Sequence, residues 1–201
     1  PGDPPFPTPV YERTEIFYHQ LPSGKLHILF VIDDSHTMEG IHADLVSHSG
    51  QFGRPFLSEN LSRLEFKIGF LAAGAPSLIS WQGKNFLSHR DDLALISDFV
   101  NMIGFNGPPY PQPFRNTLAH FDQALDLKDE EAFLVFIFVS SDEIDRDIAT
   151  SVFMSTLDKD HHPRYLHAFA SIYRSQPTHC TYSDAVISDK LSQLSEHHFY
   201  G

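Results

Sequence analysis

The segment Leu26–Met38, LHILFVIDDSHTM, constrains the fold more than any other part of the chain. Its apolar run Ile28–Ile32 is short for a helix and rich in β-branched and aromatic residues. Such a run is typical of a strand that is buried on both faces of a parallel sheet. Directly after it come five polar residues, 33–37. Because ligands of open α/β sheets bind at the carboxyl ends of the strands, the sequence predicts a ligand site at this point.

A second apolar run, Ala132–Val139, ends in the same way, in Ser140-Ser141-Asp142-Glu143. Further strands are predicted at 14–20, 63–73 and 165–173, with a short hairpin-like edge strand within 77–87. Amphipathic patterns predict helices at 39–56, 91–103, 115–127, 145–157 and 183–196. This alternation predicts a doubly wound α/β fold, with a mostly parallel central sheet flanked by helices on both faces.

The chain of 201 residues suits a single α/β domain, 14–201, after a proline-rich lead-in at 1–13. Its formal charge of −12, from 14 basic and 26 acidic side chains, argues against nucleic acid or an anionic membrane surface as the main partner. No apolar stretch approaches the roughly 18 residues of a membrane span, so direct membrane insertion is not expected. The single cysteine, Cys180, has no partner for an internal disulfide and leaves the compartment open.

Asp33, Ser35 and Thr37 place one carboxylate and two hydroxyls within five residues. These are hard oxygen ligands, which suit Mg²⁺ or Mn²⁺ rather than a soft metal. The alternative is a polar turn in which the serine and aspartate side chains cap the next helix. The three residues alone do not decide between a metal site and a capped turn.

The pattern Asp33-x-Ser35-x-Thr37, directly after an apolar strand and followed by Met38, resembles the metal-ion-dependent adhesion site of von Willebrand factor A domains. The pattern in that family is Asp-x-Ser-x-Ser/Thr. The resemblance covers roughly residues 14 to 200 and implies the Rossmann-like fold of the family. It also implies that the chain ends close to where the family adds its last strand and helix, so that these elements are shortened or missing here.

Two further residues complete the metal site in that family, a threonine in a loop before a helix and an aspartate after the next buried strand. The resemblance implies that Thr117 and Asp142 take these roles. Thr117 follows the proline-rich loop 104–113, and Asp142 follows the second apolar run. The alternatives are that Thr117 is a simple helix N-cap and that Asp142 is a solvated turn carboxylate.

The family resemblance implies a cation, Mg²⁺ or else Mn²⁺ or Ca²⁺, that Ser35 and Thr37 bind directly. Asp33 and Asp142 would supply charge directly or through water, and Thr117 would join when the site is occupied. A carboxylate from an Asp or Glu of a partner protein would fill the remaining position. The chain is therefore expected to be a metal-dependent protein-binding or adhesion module and not an enzyme. The resemblance is greatest to the bacterial, envelope-associated branch, which implies a cell-surface or periplasmic location.

Two other function classes remain open. One is an intracellular scaffold domain of the same fold, with a structural metal or none. The other is a divalent-metal hydrolase, which would need Asp34 or His36 as a general base near the metal. Apart from that hypothesis, Asp34 is expected to face solvent, and His36 to be a surface histidine where the family often has glycine. The acidic residues of 142–147 are expected to form a solvated face, with a second cation site as the alternative.

Overall fold

The apolar run of the first motif forms the central strand of a sheet. The computed structural model describes residues 24–49, 64–75, 77–121, 132–140, 147–160 and 167–172. Within these ranges the strands are β1 (Lys25–Ile32), β2 (Glu65–Ala72), β3 (Phe86–Ser88), β4 (Phe133–Val139) and β5 (His167–Ile172). The helices are α1 (Glu39–Ser49), α2 (Ile96–Ile103), α3 (Pro113–Phe121) and α4 (Thr150–Asp160).

The described strands lie in the order β3-β2-β1-β4-β5. β1 pairs in parallel with β2 on one side and with β4 on the other, and β5 continues the sheet in parallel beyond β4. The short edge strand β3 is antiparallel to β2, as the hairpin pattern predicts. The chain leaves β1 towards one side of the sheet and later returns to the other side for β4. The topological switch point, where α/β sheets bind ligands, therefore lies between the carboxyl ends of β1 and β4.

Helices cover both faces of the sheet, as alternation along β1 requires. Ile28, Phe30 and Ile32 are buried in one cluster with residues of α1 and α2. Leu29 and Val31 point to the opposite face and are buried with residues of α3 and α4. The predicted doubly wound, mostly parallel fold class is thus confirmed.

The face that carries α3 and α4 is packed with phenylalanine rings. Phe114 of α3 stacks on Phe153 of α4, with ring centroids 4.8 Å apart, and meets Phe138 of β4 edge-on at 5.2 Å. All three side chains are buried. Since burial of a phenylalanine side chain contributes roughly 1.5–3 kcal/mol, this packing holds the start of α3 firmly beside the end of β4.

Most predicted elements within the described residues are observed close to their predicted positions. An exception is α4, which begins at Thr150 and not near residue 145. The predicted strand 14–20, the predicted helix 183–196 and the boundary between lead-in and domain lie outside the described residues. Among the helices that the structure describes, none combines the length and apolar character that a bilayer span requires.

Candidate functional site

Asp33 lies at the switch point and is held by the ends of two strands. Its backbone N–H donates to the carbonyl of Val139 at 2.8 Å, which extends the pairing of β1 with β4 by one residue. Its carboxylate is buried, with only 1% of the residue exposed. Oδ1 accepts the N–H of Ser35 at 2.8 Å, and Oδ2 accepts the hydroxyl of Ser140 at 3.0 Å. The carboxylate orientation is therefore fixed by groups on both strands.

The hydroxyls of Ser35 and Thr37 meet at this site. Ser35 is buried, Thr37 is exposed, and their side-chain oxygens are 2.8 Å apart. Ser35 stands directly before a 3-10 turn, His36–Met38, but its side chain makes no capping hydrogen bond. The alternative prediction, in which the serine and aspartate side chains cap the next helix, is therefore wrong for the serine, whereas the Asp33 carboxylate does accept the N–H of Ser35 before the turn. The hydroxyl faces Thr37 instead.

The geometry of these oxygens suits a small, hard cation. Two neighbouring oxygen ligands of an octahedral Mg²⁺ lie about 3.0 Å apart, because each Mg–O bond is about 2.1 Å long. The separation of 2.8 Å between the oxygens of Ser35 and Thr37 is close to that value. Among the described residues each Asp33 oxygen accepts one hydrogen bond, which leaves a second lone pair that a cation or a water on it could use. The donor set therefore fits the cation that the family resemblance implies.

Clusters of three or more His, Cys, Asp or Glu with metal-binding geometry do not occur among the described residues. The predicted metal site would not form such a cluster, because most of its predicted ligands within the described residues are serine and threonine hydroxyls. Its second carboxylate, Asp142, lies outside the described residues. The role of Asp142 therefore stays a prediction.

Thr117 lies inside α3 and not in the loop before it. It is the fifth residue of the helix, its side chain is fully buried, and its hydroxyl donates to the carbonyl of Pro113 at 2.6 Å. This bond to the preceding turn is a common one for threonine within helices. The alternative that Thr117 is an N-cap is wrong, since the helix begins four residues earlier. Its predicted role towards the metal stays a prediction.

Ser140, the first residue after the second apolar run, is a site residue that was not among the predicted ligands. It follows β4 directly, is buried, and donates its hydroxyl to Asp33, 107 residues earlier in the chain. A signal for it exists in the sequence. The two apolar runs form paired parallel strands in which Ile32 lies opposite Val139. The residues that follow them, Asp33 and Ser140, therefore lie side by side.

Asp34 does not face solvent, contrary to the expectation. Only 7% of the residue is exposed, and its Oδ1 accepts the backbone N–H of Gly74 at 2.7 Å. Its backbone carbonyl accepts the N–H of Gly107, also at 2.7 Å. Burial raises the pKa of the Asp34 carboxyl, and the hydrogen bond from Gly74 offsets only part of that rise. Asp34 thus contacts two loops that lie beyond the carboxyl ends of the strands.

His36 is a surface residue, as expected. Its side chain is 80% exposed, and its Nε2 lies 3.4 Å from a carboxylate oxygen of Glu39, three residues later. Its ring centroid is 6.5 Å from that of Phe105, in the loop that follows α2. His36 therefore borders the exposed side of the site, next to Thr37.

Asp147 is not part of a solvated face, which corrects the prediction for this residue. It is buried and reaches the start of α3, where it accepts the N–H groups of Phe114 at 2.5 Å and Arg115 at 3.2 Å. A negative charge at a helix N-terminus is favourable, because the first N–H groups of the helix have no partners within it. Asp147 therefore ties the chain before α4 to the start of α3.

Solved structures with a similar fold include a von Willebrand factor type A protein from Catenulispora acidiphila and the pilus adhesin SpaC from Lactobacillus rhamnosus GG. The first is 12% identical over 75% of this chain and 34% of its own, with a TM-score of 0.47. The second is 14% identical over 58% of this chain and 14% of its own, with a TM-score of 0.37. The chain spans about a third of the first structure's length and about a seventh of the second's. No protein-family model and no curated protein sequence matches the chain.

Proposed function

We propose that this chain is a divalent-cation-dependent protein-binding or adhesion module of the von Willebrand factor A type. The observation that carries the proposal is the convergence of Asp33, Ser35 and Thr37 at the switch point of a doubly wound sheet. The family pattern of these residues, the strand that precedes them and the position of the site all agree with that assignment.

The proposed cation is Mg²⁺, with Mn²⁺ and Ca²⁺ as substitutes. Ser35 and Thr37 would hold it directly, and Asp33 would supply charge, with Thr117 and Asp142 completing the set. When bound, the cation supplies a positive charge and an open coordination position that attracts an anionic oxygen. Thr37 is exposed whereas Asp33 and Ser35 are buried, so Thr37 would be the ligand that a partner approaches from solvent.

The proposed ligand is a carboxylate from an Asp or Glu side chain of a partner protein. The chain carries a formal charge of −12, which would repel an acidic partner in the absence of the cation. Recognition of a carboxylate by this surface therefore depends on the metal. We place the module at a bacterial cell surface or in the periplasm, on the resemblance of its strand and loop sequences to that branch of the family.

Thermal unfolding with added Mg²⁺ or Mn²⁺ tests the metal site. A cation that binds only the folded state stabilises it by mass action, and we expect about 1–3 kcal/mol at saturating metal. Ser35→Ala should abolish the stabilisation without unfolding the protein. Ser47→Ala is the matched control, because Ser47 is exposed on α1 and, within the part of the chain that the structure describes, its hydroxyl bonds to groups of that helix. A full metal effect in Ser35→Ala would contradict the proposed site.

Binding of acidic peptides tests the carboxylate. A peptide with a central Asp or Glu should bind in Mg²⁺, and EDTA or replacement of that residue by Asn or Gln should abolish binding. Thr117→Ala should weaken binding while the fold stays intact.

Binding that EDTA leaves unchanged would favour the second candidate, an intracellular scaffold domain with a structural metal or none. One observation favours that candidate, namely that the Thr117 hydroxyl donates to Pro113 inside α3.

We propose no catalytic role. In the hydrolase hypothesis Asp34 or His36 would act as a general base beside the metal. The Asp34 carboxylate instead accepts the N–H of Gly74 and is buried, which leaves it badly placed to take a proton from a metal-bound water. His36 is exposed and lies beside Glu39. Hydrolysis of an ester or phosphate that Asp33→Ala abolishes would overturn this proposal.

A further inference from the structure

Asp34 lies at a junction of three loops, beside the proposed cation site. Its carboxylate accepts the N–H of Gly74 after β2, and its carbonyl accepts the N–H of Gly107 after α2. The contacts are too close for side chains on the partners. A Cβ at Gly107 would lie within 3.0 Å of three atoms of the Asp34 carboxyl group. A Cβ at Gly74 would lie within 3.0 Å of both Asp34 and the ring of Pro108.

The loop after α2 is held a second time, five residues further on. The N–H of Gln112 donates to the carbonyl of Ala73 at 3.2 Å, and the side-chain amide of Asn116 donates to the same carbonyl at 2.7 Å. Between the two attachments, residues 108–110 are exposed, and Tyr110 is 54% exposed. Prolines at 108, 109 and 111 restrict the backbone of this segment. We call residues 108–111 the rim segment.

We infer that Asp34 is a positioning residue that couples the rim segment to the proposed cation site, so that cation binding orders this segment as part of the partner-binding surface. This inference rests on the proposed function.

The coupling follows from where Asp34 stands in the chain. Its neighbours on both sides, Asp33 and Ser35, are proposed ligands, so any adjustment of their backbone on binding a cation moves Asp34 as well. The backbone carbonyl of Asp34 accepts the N–H of Gly107, and its carboxyl group packs directly against Gly107. Because prolines restrict the backbone that follows, fixing Gly107 also restricts the conformations of the rim segment. A segment that is ordered before the partner arrives loses less entropy on binding, which favours affinity.

A double-mutant cycle without metal tests the junction itself. Gly107→Ala should lower the melting temperature by about 5 °C in the wild type, because the new methyl group overlaps the Asp34 carboxyl group. In an Asp34→Ala background the same change should cost less than half as much, since the overlapping atoms are gone. Gly40→Ala is the control, because a Cβ there meets no atom within 4 Å and should act additively with Asp34→Ala. Additive effects of Asp34→Ala and Gly107→Ala would overturn the inference.

Hydrogen exchange at residues 104–112 tests the coupling. In the wild type, Mg²⁺ should slow exchange of the Gly107 amide at least threefold. In Asp34→Ala the Gly107 N–H keeps the backbone carbonyl of residue 34 as its acceptor but loses the carboxyl group that packs against it. Mg²⁺ should still raise the melting temperature, but exchange at Gly107 should be faster than in the wild type and insensitive to Mg²⁺. Asp34→Asn keeps an oxygen for the Gly74 N–H while it removes the charge, and it should retain the response. Asp44→Ala, which removes a charge from an exposed position of α1, should behave as the wild type does.

These results separate the inference from the function on which it rests. A wild type that shows no metal effect on melting temperature would overturn the proposed function, while the double-mutant cycle would still decide whether the junction exists. Metal binding in Asp34→Ala with an unchanged response at Gly107 would overturn the coupling and leave the metal site standing. Loss of the response in Asp34→Asn and Asp34→Ala alike would also overturn it, because charge and not the junction would then be responsible.

Discussion

A buried aspartate lies on each side of the carboxyl end of β1, and the two carboxylates have different contacts. On the β4 side, Asp33 accepts a hydroxyl and a backbone N–H, and a small cavity adjoins it. On the β2 side, Asp34 accepts a backbone N–H and packs directly against glycine. The β4 side presents hydroxyl and carboxylate oxygens that can bind a ligand. The β2 side is filled by backbone and proline atoms, which leave no room for a ligand.

This difference shows that burial of a carboxylate does not by itself indicate a binding site. Asp33 and Asp34 are adjacent and similarly buried. They differ in their neighbours. Asp33 lies beside the Ser140 hydroxyl, which can turn towards a cation, whereas Asp34 lies beside the backbone of Gly74, which cannot. We therefore expect substitutions on the β2 side to act mainly on stability, and substitutions on the β4 side to act on metal binding as well.

The largest effect is expected from Gly74→Ala, on the β2 side. The added methyl group would overlap Pro108 and Asp34, and such overpacking costs about 3 kcal/mol. Urea denaturation measures the loss. Gly40→Ala, in open space on α1, should be neutral or stabilising by up to about 1 kcal/mol. Equal effects of the two substitutions would show that the β2 side is not tightly packed.

The next effect is expected from Asp147→Ala, on the β4 side. The N–H groups of Phe114 and Arg115 would lose their acceptor, which should cost about 2 kcal/mol. The matched control is Asp92→Ala, because Asp92 caps an exposed turn before α2 through the N–H of Ala94. We expect about 1 kcal/mol there. If the control cost more than Asp147→Ala in urea denaturation, the buried cap would not stabilise the start of α3.

A smaller effect on stability, with a specific effect on metal binding, is expected from Ser140→Ala. Asp33 would lose one of the two donors that the described residues provide, at a cost of about 1 kcal/mol. Groups that orient a metal ligand typically change metal affinity 10- to 100-fold, so Mg²⁺ titrations followed by melting temperature should require at least about tenfold more metal. Ser97→Ala on α2, whose hydroxyl bonds to the Ala94 carbonyl, should leave the titration unchanged. An unchanged titration in Ser140→Ala would contradict a role of Ser140 at the site.

The smallest effect is expected at Asp91, a carboxylate that follows the edge strand β3 and is not part of the proposed site. The hydrogen bond from Lys84, helped by bonds from Ser88, holds the pKa of the Asp91 carboxyl below its ordinary value. The folded state therefore binds this proton less readily than the unfolded state, and the resulting stability is present at neutral pH and is lost as the pH falls through the lowered pKa. Asp91→Asn should cost up to about 1 kcal/mol at pH 7 and progressively less towards pH 3. A constant difference over this range, measured by urea denaturation, would contradict the shift.

The sequence predicts the parts of this molecule that depend on local pattern. The apolar runs of β1 and β4 identify two buried strands, and their polar ends identify the edge at which Asp33, Ser35 and Thr37 meet. The alternation of strands and helices, together with the known handedness of their connections, predicts a doubly wound and mostly parallel sheet. It does not predict the order of the strands, which the structure supplies.

The parts that depend on distant contacts were not predicted. Asp34 is buried because Gly74 and Gly107 approach it from loops 40 and more residues away, and no pattern around Asp34 indicates this. The early start of α3 has a similar origin. Its first residue is Pro113, which suits a first helical position, and its N–H groups are capped by Asp147, far along the chain. Thr117 consequently falls inside the helix and not at its start.

The pairing of β1 with β4 also has a consequence for the order of folding. Asp34 and Gly74 are 40 residues apart, whereas Asp33 and Ser140 are 107 residues apart. Contacts between distant residues require a long stretch of chain to be closed first, and they slow folding. The β2 side of the edge is thus expected to form before the β4 side. During synthesis, the buried Asp33 carboxylate gains its serine partner only after the ribosome has released β4, so the site is assembled among the last parts of the sheet.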